Sequence, residues 1–373
     1  MTQGSSGFSL RRVAFSDLPG WRDDHPGALV DGIRNCLSHI RSGKPYKTGS
    51  LGLSFDEILP AYEAALGADL RDPAAARDFF QQHFEPLMIC PGEGGRGFVT
   101  AFYEPEVEVS DRKSDIWAYP FYRRPEDLVD LDDASRPAGM DASWRFGRSG
   151  PQGINEYPDR KAIDHGFLDG RGLEIAWARS RADVFFAHVQ GAARLVYPDG
   201  SVTRITYAAK SGHPFSAIGR LLIDLGEIDA ATVSMQTIRA WLDANPQRMD
   251  EILWHNRSYI FFREAEVADE SLGPIAAAKV PLLPGRALAV DRLIHTFGYP
   301  FFIHAPSLTH MDGGRPFART MMTLDTGSAI VGAARGDIFT GSGAWAGELA
   351  GAVRNEADFY ILVPRSASAR MVG

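Results

Sequence analysis

The chain has 373 residues, which exceeds the usual span of one hydrophobic core, so two domains or one domain with an insertion are expected. Apolar residues make up 45% of it and charged residues 23%, a composition that is typical of globular proteins and excludes intrinsic disorder. The formal net charge of -8 argues against a surface that binds nucleic-acid phosphates, so nucleic acid is not an expected partner.

The predicted elements begin with helices. Apolar residues recur three to four positions apart behind Ser or Asp caps between residues 27 and 84, and the stretch from 27 to 104 is predicted to be mainly helical. From about 106 to 205 the pattern changes to short strand-like runs, among them DVFFAHVQG at 183–191 and a hairpin signal, Pro-Asp-Gly, at 198–200. This middle section is therefore predicted to be β-rich.

Helices return between residues 214 and 262, where Gly226 and Pro246 are predicted to end two of them. After residue 262, short β-branched or aromatic runs separated by glycine are typical of a small closed barrel, interrupted by a helix near 347–355. No internal repeat and no run of like charges marks an interaction tail.

The cysteine and histidine content indicates which disulfides and metal sites can be expected. The two cysteines, Cys36 and Cys90, predict two free thiols, with one disulfide as the alternative. The ten histidines are scattered and form no His-Glu-x-x-His motif, so neither a metal nor another cofactor is expected. The opening residues 1–15 lack the apolar run of a signal peptide and no stretch reaches the length of a membrane span, which predicts a soluble chain.

The segment from residue 325 to 343 carries the sharpest chemical signal. Asp325 and Asp337 each stand at the edge of an apolar, strand-like run, although aspartate is depleted in strands. Such an acid either caps a turn or is held against apolar walls that raise its pKa. Glycines crowd the same segment, at Gly327, Gly332, Gly336, Gly341 and Gly343. Because no Gly-Lys-Ser/Thr and no Gly-x-Ser-x-Gly accompanies them, nucleotide binding and a serine hydrolase are not expected.

Three segments near the carboxyl end, 281–292, 319–351 and 358–364, together resemble the three-aspartate domain of the membrane-bound lytic murein transglycosylase A family. The three acids are Asp291, Asp325 and Asp337. Further ordered matches to the family lie at 100–105 (TAFYEP), 172–195, 213–228, 234–246 and 256–262. The resemblance therefore spans roughly residues 95 to 365.

The resemblance implies an α+β protein, mainly β, with a groove between two domains. Residues 1–105 and 236–373 would form a large domain with a double-psi β-barrel, and residues 106–235 a β-rich inserted domain. The groove would hold a glycan strand of peptidoglycan, and the protein would act as a monomer without a cofactor. The family is typically periplasmic and anchored to the outer membrane by a lipid, and the absence of a leader here leads us to expect a periplasmic form that is soluble or trimmed.

The resemblance also assigns the site residues. Asp337 matches the catalytic acid of the family and Asp325 a supporting acid, while Asp291 is expected in the groove or in a structural role. The groove residues that it nominates are Tyr103, Glu104, Gln190, Ser216 and Arg220. Without the resemblance, a tyrosine at the edge of the core, a strand-end amide bonded to backbone and an arginine in a surface salt bridge are the simpler interpretations.

The mechanism that the resemblance implies needs one carboxyl. The C6 hydroxyl of N-acetylmuramic acid attacks C1 of the same sugar and gives a 1,6-anhydro product, so no activated water is required. Asp337 would protonate the glycosidic oxygen and then accept the hydroxyl proton, which requires a raised pKa. Two alternatives stay open on the same barrel: a hydrolytic glycosidase in which Asp325 activates water, and an expansin-like module that binds glycan without cutting it.

Overall fold

The computed structural model of the protein describes residues 7–371. The chain forms two compact units: one contains the chain up to Tyr103 and again from Val267, and the other contains Glu104–Glu266. The second unit is therefore an insertion in the first. Both units combine sheets with helices, and sheet predominates, which confirms the predicted α+β class.

The helices are α1 Val30–Arg41, α2 Phe55–Gly67, α3 Pro73–His83, α4 Arg160–Ala162, α5 Arg181–Gln190, α6 Ile218–Asp224, α7 Met235–Ala244, α8 Pro246–Trp254, α9 Gly343–Gly351 and α10 Arg365–Ser368. The strands are β1 Phe8–Arg12, β2 Phe84–Pro91, β3 Gly97–Glu104, β4 Glu106–Ser110, β5 Tyr119–Tyr122, β6 Leu128–Asp130, β7 Phe146–Gly150, β8 Gly153–Asn155, β9 Glu174–Ala178, β10 Ala192–Val196, β11 Val202–Lys210, β12 Ile260–Glu264, β13 Ala287–Val290, β14 Pro300–Ala305, β15 Phe317–Asp325, β16 Arg335–Ser342 and β17 Arg354–Pro364. Within residues 7–371, none of these helices has the length and apolar character needed to cross a membrane.

The first unit is built on a sheet in the strand order β1-β2-β17-β14-β15-β13-β16-β3. The first part of β17 also pairs with β3, with Arg354 opposite Thr100 and Ala357 opposite Gly97. This pairing closes β17, β14, β15, β13, β16 and β3 into a ring, while the second part of β17 pairs with β2. The ring agrees with the small closed barrel expected from the sequence, and the double-psi connectivity stays a prediction.

One large apolar core holds the first unit together. Phe301, Met321 and Ile361 on neighbouring strands are almost fully buried in it, and α1 and α2 pack against the same core through Ile33 and Ile58. Burial of an apolar side chain of this size stabilises a fold by roughly 1.5–3 kcal/mol relative to exposure. The barrel strands and the amino-terminal helices therefore depend on each other for stability.

The predicted caps start two of these helices. At α2 the Ser54 amide donates to the Glu57 carboxylate over 2.9 Å, which is half of a capping box. At α3 the Asp72 carboxylate accepts from the Ala75 amide over 2.7 Å. Both thiols are free as expected, with Cys36 buried in the core and Cys90 partly buried.

The second unit has its own sheets and cores. Its larger sheet has the order β12-β11-β10-β4-β9-β5, and β6, β7 and β8 form a separate small sheet. Helix α5 contacts β5, β9 and β10 of the larger sheet. A distinct cluster joins Phe185 and Phe186 of α5 to apolar residues of α6, α7 and α8, including Leu222 and Leu253.

Two predicted elements are wrong. Residues 84–104, expected to continue the helical section, contain the strands β2 and β3. The run 183–191, expected to be a strand, belongs to α5, which starts where the Ser180 hydroxyl accepts from the Ala182 amide and ends at Gly191 with φ of 77°. Most side chains of α5 are buried, so its apolar residues form a continuous run that has no helical period.

The second boundary between the units also differs from the predicted one. The sequence places the return to the large domain at residue 236, whereas the compact units divide after Glu266. Helices α7 and α8 lie in the inserted unit because their residues Leu242 and Leu253 pack against Leu222 of α6. Strand β12 stays there as well because it pairs with β11.

Candidate active site

Three adjacent strands bring the two predicted catalytic acids together. Strand β13 lies between β15 and β16, and its residue Ala289 pairs with Asp325 on one side and with Asp337 on the other. Residues that pair across neighbouring strands project from the same face of a sheet. Because strands lie about 4.8 Å apart, the Cα atoms of the two aspartates are separated by roughly 10 Å, with the Ala289 methyl group between the side chains.

A β-bulge sets this arrangement. Leu288 pairs with Thr323 of β15, but the next residue, Ala289, pairs with Asp325, so one extra residue is accommodated in β15 at Leu324. Bulges next to active sites redirect side chains in this way. The bulge lets Leu324 stay in the apolar core while Asp325 comes opposite Ala289.

The Asp325 carboxyl is partly buried and is held by backbone amides. The Ala277 amide donates to Oδ1 over 3.1 Å, and the Thr326 amide also bonds the carboxylate. Burial is the main cause that raises the pKa of Asp325 from 3.8 to about 6, and the negative charge of Asp337 raises it further. Both amides and the positive charge of Lys279 act in the opposite direction.

The Asp337 carboxyl has a different environment. Its Oδ1 accepts a short hydrogen bond from the Thr100 hydroxyl of β3, and that hydroxyl also accepts from Arg335 Nη2 over 2.7 Å. Burial raises the pKa of Asp337, whereas the Thr100 hydrogen bond and the Arg335 charge lower it. Within residues 7–371 no donor forms a hydrogen bond with Oδ2.

The pKa values of both carboxyls are raised in the free protein. Burial is the main cause in both cases, and for Asp325, whose pKa reaches about 6, the charge of ionised Asp337 across β13 adds to the shift. Two interacting carboxyls lose their protons in steps that belong to the pair, and the upper step here lies near pH 6. Two acids with raised pKa values on one sheet face can donate and accept protons at mildly acidic pH.

Asp291, the third acid, has both carboxylate oxygens bonded to backbone amides. Its Oδ1 accepts from the Leu293 amide over 3.0 Å and its Oδ2 from the Gly332 amide over 2.9 Å. The side chain is only 8% exposed. It thus ties the end of β13 to the loop that connects Asp325 to Asp337, which leaves it little capacity to contact a substrate.

Tyr103 and Glu104, at the end of β3, are both buried. The Tyr103 ring packs on Gly347 of α9, where an added Cβ would lie 2.8 Å from the ring. Glu104 is 0% exposed, and the Arg204 Nε donates to both of its carboxylate oxygens, over 3.1 and 3.2 Å. The charge of Glu104 is thus already paired inside the second unit, and its direct contact with a glycan stays a prediction.

The other nominated groove residues lie in the second unit. Gln190 is the last residue of α5 and is partly buried. Ser216 is partly buried, and its backbone amide donates to the Asn256 side-chain oxygen over 3.2 Å. Arg220 is exposed and pairs with Asp224 one helical turn away over 2.9 Å, which is the simpler interpretation of such an arginine.

The sequence interpretation missed three residues that shape the site. Thr100 bonds Asp337, Arg335 bonds Thr100, and Ala289 separates the two acids. Arg335 has a sequence signal, because residues two apart on a strand share a face and Arg335 precedes Asp337 by two. Thr100 and Ala289 lie in the family-matching segments 100–105 and 281–292, but only the pairing of distant strands brings them to the two acids.

Two family models match the chain. The model described as "MltA specific insert domain" matches residues 98–263, and the model described as "3D domain" matches residues 286–363. The first covers almost all of the second unit, and the second contains Asp291, Asp325 and Asp337.

Relatives resemble the chain over most of its length. The membrane-bound lytic murein transglycosylase A of Escherichia coli K12 is 30% identical over 320 residues, covering 84% of this chain and 77% of the relative. A crystal structure of a membrane-bound lytic murein transglycosylase from Agrobacterium tumefaciens is 62% identical, with a TM-score of 0.93 over 97% of this chain and 99% of that one. The structure of MltA from Neisseria gonorrhoeae is 30% identical, with a TM-score of 0.78 over 98% and 94%.

Proposed function

This chain belongs to the MltA family of lytic murein transglycosylases, and we propose that it cleaves peptidoglycan with Asp337 as its single acid and base. The bond cleaved is the β-1,4 link between N-acetylmuramic acid and N-acetylglucosamine, and the product carries a 1,6-anhydro sugar. The observation that carries the proposal is the strand register that puts Asp337 and Asp325 on one face, on either side of Ala289.

The environments of the two acids support this division of roles. Asp325 is held by two backbone amides, whereas Asp337 keeps Oδ2 open within the described residues. An acid that must reach a glycosidic oxygen needs such a free oxygen. Asp325 is proposed to support the reaction as the second proton-binding group of the pair and through the shape of the site.

The cycle needs no outside reactant. Protonated Asp337 donates its proton to the glycosidic oxygen as the bond to C1 breaks, and the leaving sugar departs as an alcohol. The C6 hydroxyl of the muramic acid then bonds to C1, and its proton passes to the Asp337 carboxylate. The positive charge that develops at C1 is relieved by the N-acetyl group of the substrate. Asp337 ends in its starting state.

The test is digestion of purified peptidoglycan sacculi by wild-type protein and by Asp337→Asn, with mass spectrometry of the released muropeptides. Wild type is expected to release anhydro products, each lighter by one water molecule than a hydrolytic product. Asp337→Asn is expected to lose at least about a thousandfold in rate, because amides cannot supply the proton. Asp243→Asn, an exposed aspartate on α7, is the matched control and should keep the wild-type rate.

Other outcomes identify the alternatives. Water-added products would assign the hydrolytic mechanism, in which Asp325 activates water. Binding to sacculi without any release of products would assign an expansin-like module. Retention of most activity by Asp337→Asn would remove the proposed acid and base.

We also propose that the protein works in the periplasm as a monomer associated with the outer membrane. The Escherichia coli relative is named membrane-bound, and peptidoglycan is the polymer that the family name specifies. Cell fractionation with an antibody against the protein, and light scattering of the purified protein, test these two points. Recovery of the protein in the cytoplasm, or as a stable dimer, would contradict them.

A further inference from the structure

We propose that Arg335 and Thr100 form a hydrogen-bond relay that leaves the transferable proton of Asp337 on Oδ2. The inference rests on the proposed function, in which Asp337 is the acid and base. It assigns to Arg335 and Thr100 the part of positioning residues, since neither is required to touch the substrate.

The direction of the relay follows from the chemistry of its members. A guanidinium carries hydrogen-bond donors and no acceptor. Arg335 Nη2 lies 2.7 Å from Thr100 Oγ1, so the threonine oxygen must be the acceptor in that contact. The single hydroxyl hydrogen is then available for Asp337 Oδ1, which is the acceptor that it reaches within residues 7–371. Oδ1 is thereby occupied as an acceptor in both protonation states of Asp337.

Arg335 is itself held in position. Its Nη1 donates to the carbonyl oxygen of Gly336, and its guanidinium carbon lies 5.6 Å from the centre of the Phe98 ring. Arg335 and Phe98 belong to paired strands, because the Phe98 amide donates to the Ala334 carbonyl over 2.9 Å. A guanidinium with these contacts cannot rotate away without losing all of them.

The consequence concerns which oxygen reacts. With Oδ1 bonded to Thr100, the proton of the acid form resides on Oδ2, which donates to the glycosidic oxygen and later receives the C6 hydroxyl proton. Thr100 keeps its own proton throughout the cycle. The relay thus excludes the form of Asp337 in which the proton is on Oδ1, from where it could not be transferred to the substrate.

The relay also sets how readily Asp337 ionises. The charged groups around it are Arg335 on its own strand and Asp325 on β15, while β13 and β3 contribute Ala289 and Thr100, which carry no charge. Lys279 acts on Asp325. A hydrogen bond to a carboxylate favours the ionised form, so loss of the Thr100 hydroxyl raises the pKa of Asp337.

The test compares Thr100→Val, which removes the hydroxyl at nearly constant volume, with Thr100→Ser, which restores it. For Thr100→Val we expect a maximal rate lower by about tenfold and an Asp337 pKa higher by about one pH unit, the size typical of one hydrogen bond to a charged group. The pKa is read from ¹³C carboxyl resonances, assigned by their loss in Asp337→Asn. Thr100→Ser should recover most of the rate and the wild-type pKa.

Arg335→Met tests the relay as a chain. As a single substitution, Arg335→Met should raise the pKa of Asp337. In a Thr100→Val background, the effect of Arg335→Met on the rate should be at most half as large as in wild type, because the hydroxyl that Arg335 orients is gone. Equal effects of Arg335→Met in both backgrounds would overturn the relay, as would a Thr100→Val protein with the wild-type rate and pKa. Circular dichroism of each variant shows that a lost rate is not a lost fold.

Failure of the relay is distinguishable from failure of the proposed function. If Asp337→Asn is inactive while Thr100→Val behaves as wild type, Asp337 is the acid and the relay is wrong. If Asp337→Asn stays active, the acid assignment is wrong, and the pKa of Asp337 measured in Thr100→Val still reports on the hydrogen bond itself.

Discussion

Replacing Asp325 with asparagine should stabilise the protein at neutral pH and leave its stability unchanged at acidic pH. Burial raises the pKa of this carboxyl from 3.8 to about 6. At 1.36 kcal/mol for each pH unit, that difference corresponds to roughly 3 kcal/mol by which the folded state disfavours the ionised form. Asparagine keeps an oxygen that can accept from the Ala277 amide and never ionises.

The sign follows from proton linkage. Below pH 3.8 the carboxyl is protonated in both the folded and the unfolded chain, so it contributes no difference. Between 3.8 and about 6 the folded chain binds more protons, and the free energy of unfolding falls as the pH rises. Above about 6 the loss is complete. Asp325→Asn lacks this loss, so its advantage grows from zero near pH 4 to roughly 3 kcal/mol near pH 7.5.

Urea denaturation of wild type and Asp325→Asn between pH 4 and 8 measures the difference, with fluorescence and circular dichroism followed together because the two units need not unfold in one step. Asp243→Asn, which changes an exposed acid, is the control and should show no pH-dependent difference. A constant difference between wild type and Asp325→Asn across the pH range would refute the reasoning, since it would show that Asp325 is not held with a raised pKa.

Three further changes probe the parts of the site that the fold supplies. Glu104→Gln breaks the buried pair with Arg204 and should cost about 3–5 kcal/mol in denaturation experiments while leaving the KM for glycan strands nearly unchanged. A large rise in KM without loss of stability would restore Glu104 as a ligand. Gly347→Ala places a Cβ 2.8 Å from the Tyr103 ring and should lower stability by about 1–3 kcal/mol, read as a fall in Tm. Ala289→Val crowds both carboxyls and should lower kcat at least about tenfold; full activity would show that the space between them is not tight.

The rate of the enzyme should fall as the pH rises through the upper step of the acid pair. The acid form requires a proton in the site, and the pKa of about 6 for Asp325 marks where the pair loses its last one. Initial rates on sacculi between pH 4 and 8 test this. In Asp325→Asn the fall in rate should occur at lower pH, because the acid pair then lacks its upper step. If the rate of Asp325→Asn falls at the same pH as that of wild type, a different group controls the pH dependence.

Some site residues could be proposed from the sequence and others could not. Asp325 and Asp337 stand out because an acid at the end of an apolar strand is unusual, and that property is local. Glu104 shows the opposite case: its local motif is compatible with a substrate contact, but a partner 100 positions away, Arg204, consumes its charge. A local motif cannot reveal such a partner.

Local sequence patterns were enough to predict the helix starts at Ser54 and Asp72 and to single out Asp325 and Asp337, because capping and a carboxyl in an apolar run act over a few residues. The class of the fold was implied by the family resemblance. The tertiary structure was needed to show that α5 is a helix rather than a strand, because most of its side chains are buried and its apolar residues form a continuous run without a helical period. It alone decided that Ala289 lies between Asp325 and Asp337 and that Thr100 reaches the latter. Strand register and one bulge join residues far apart in the chain, and no local pattern encodes that pairing.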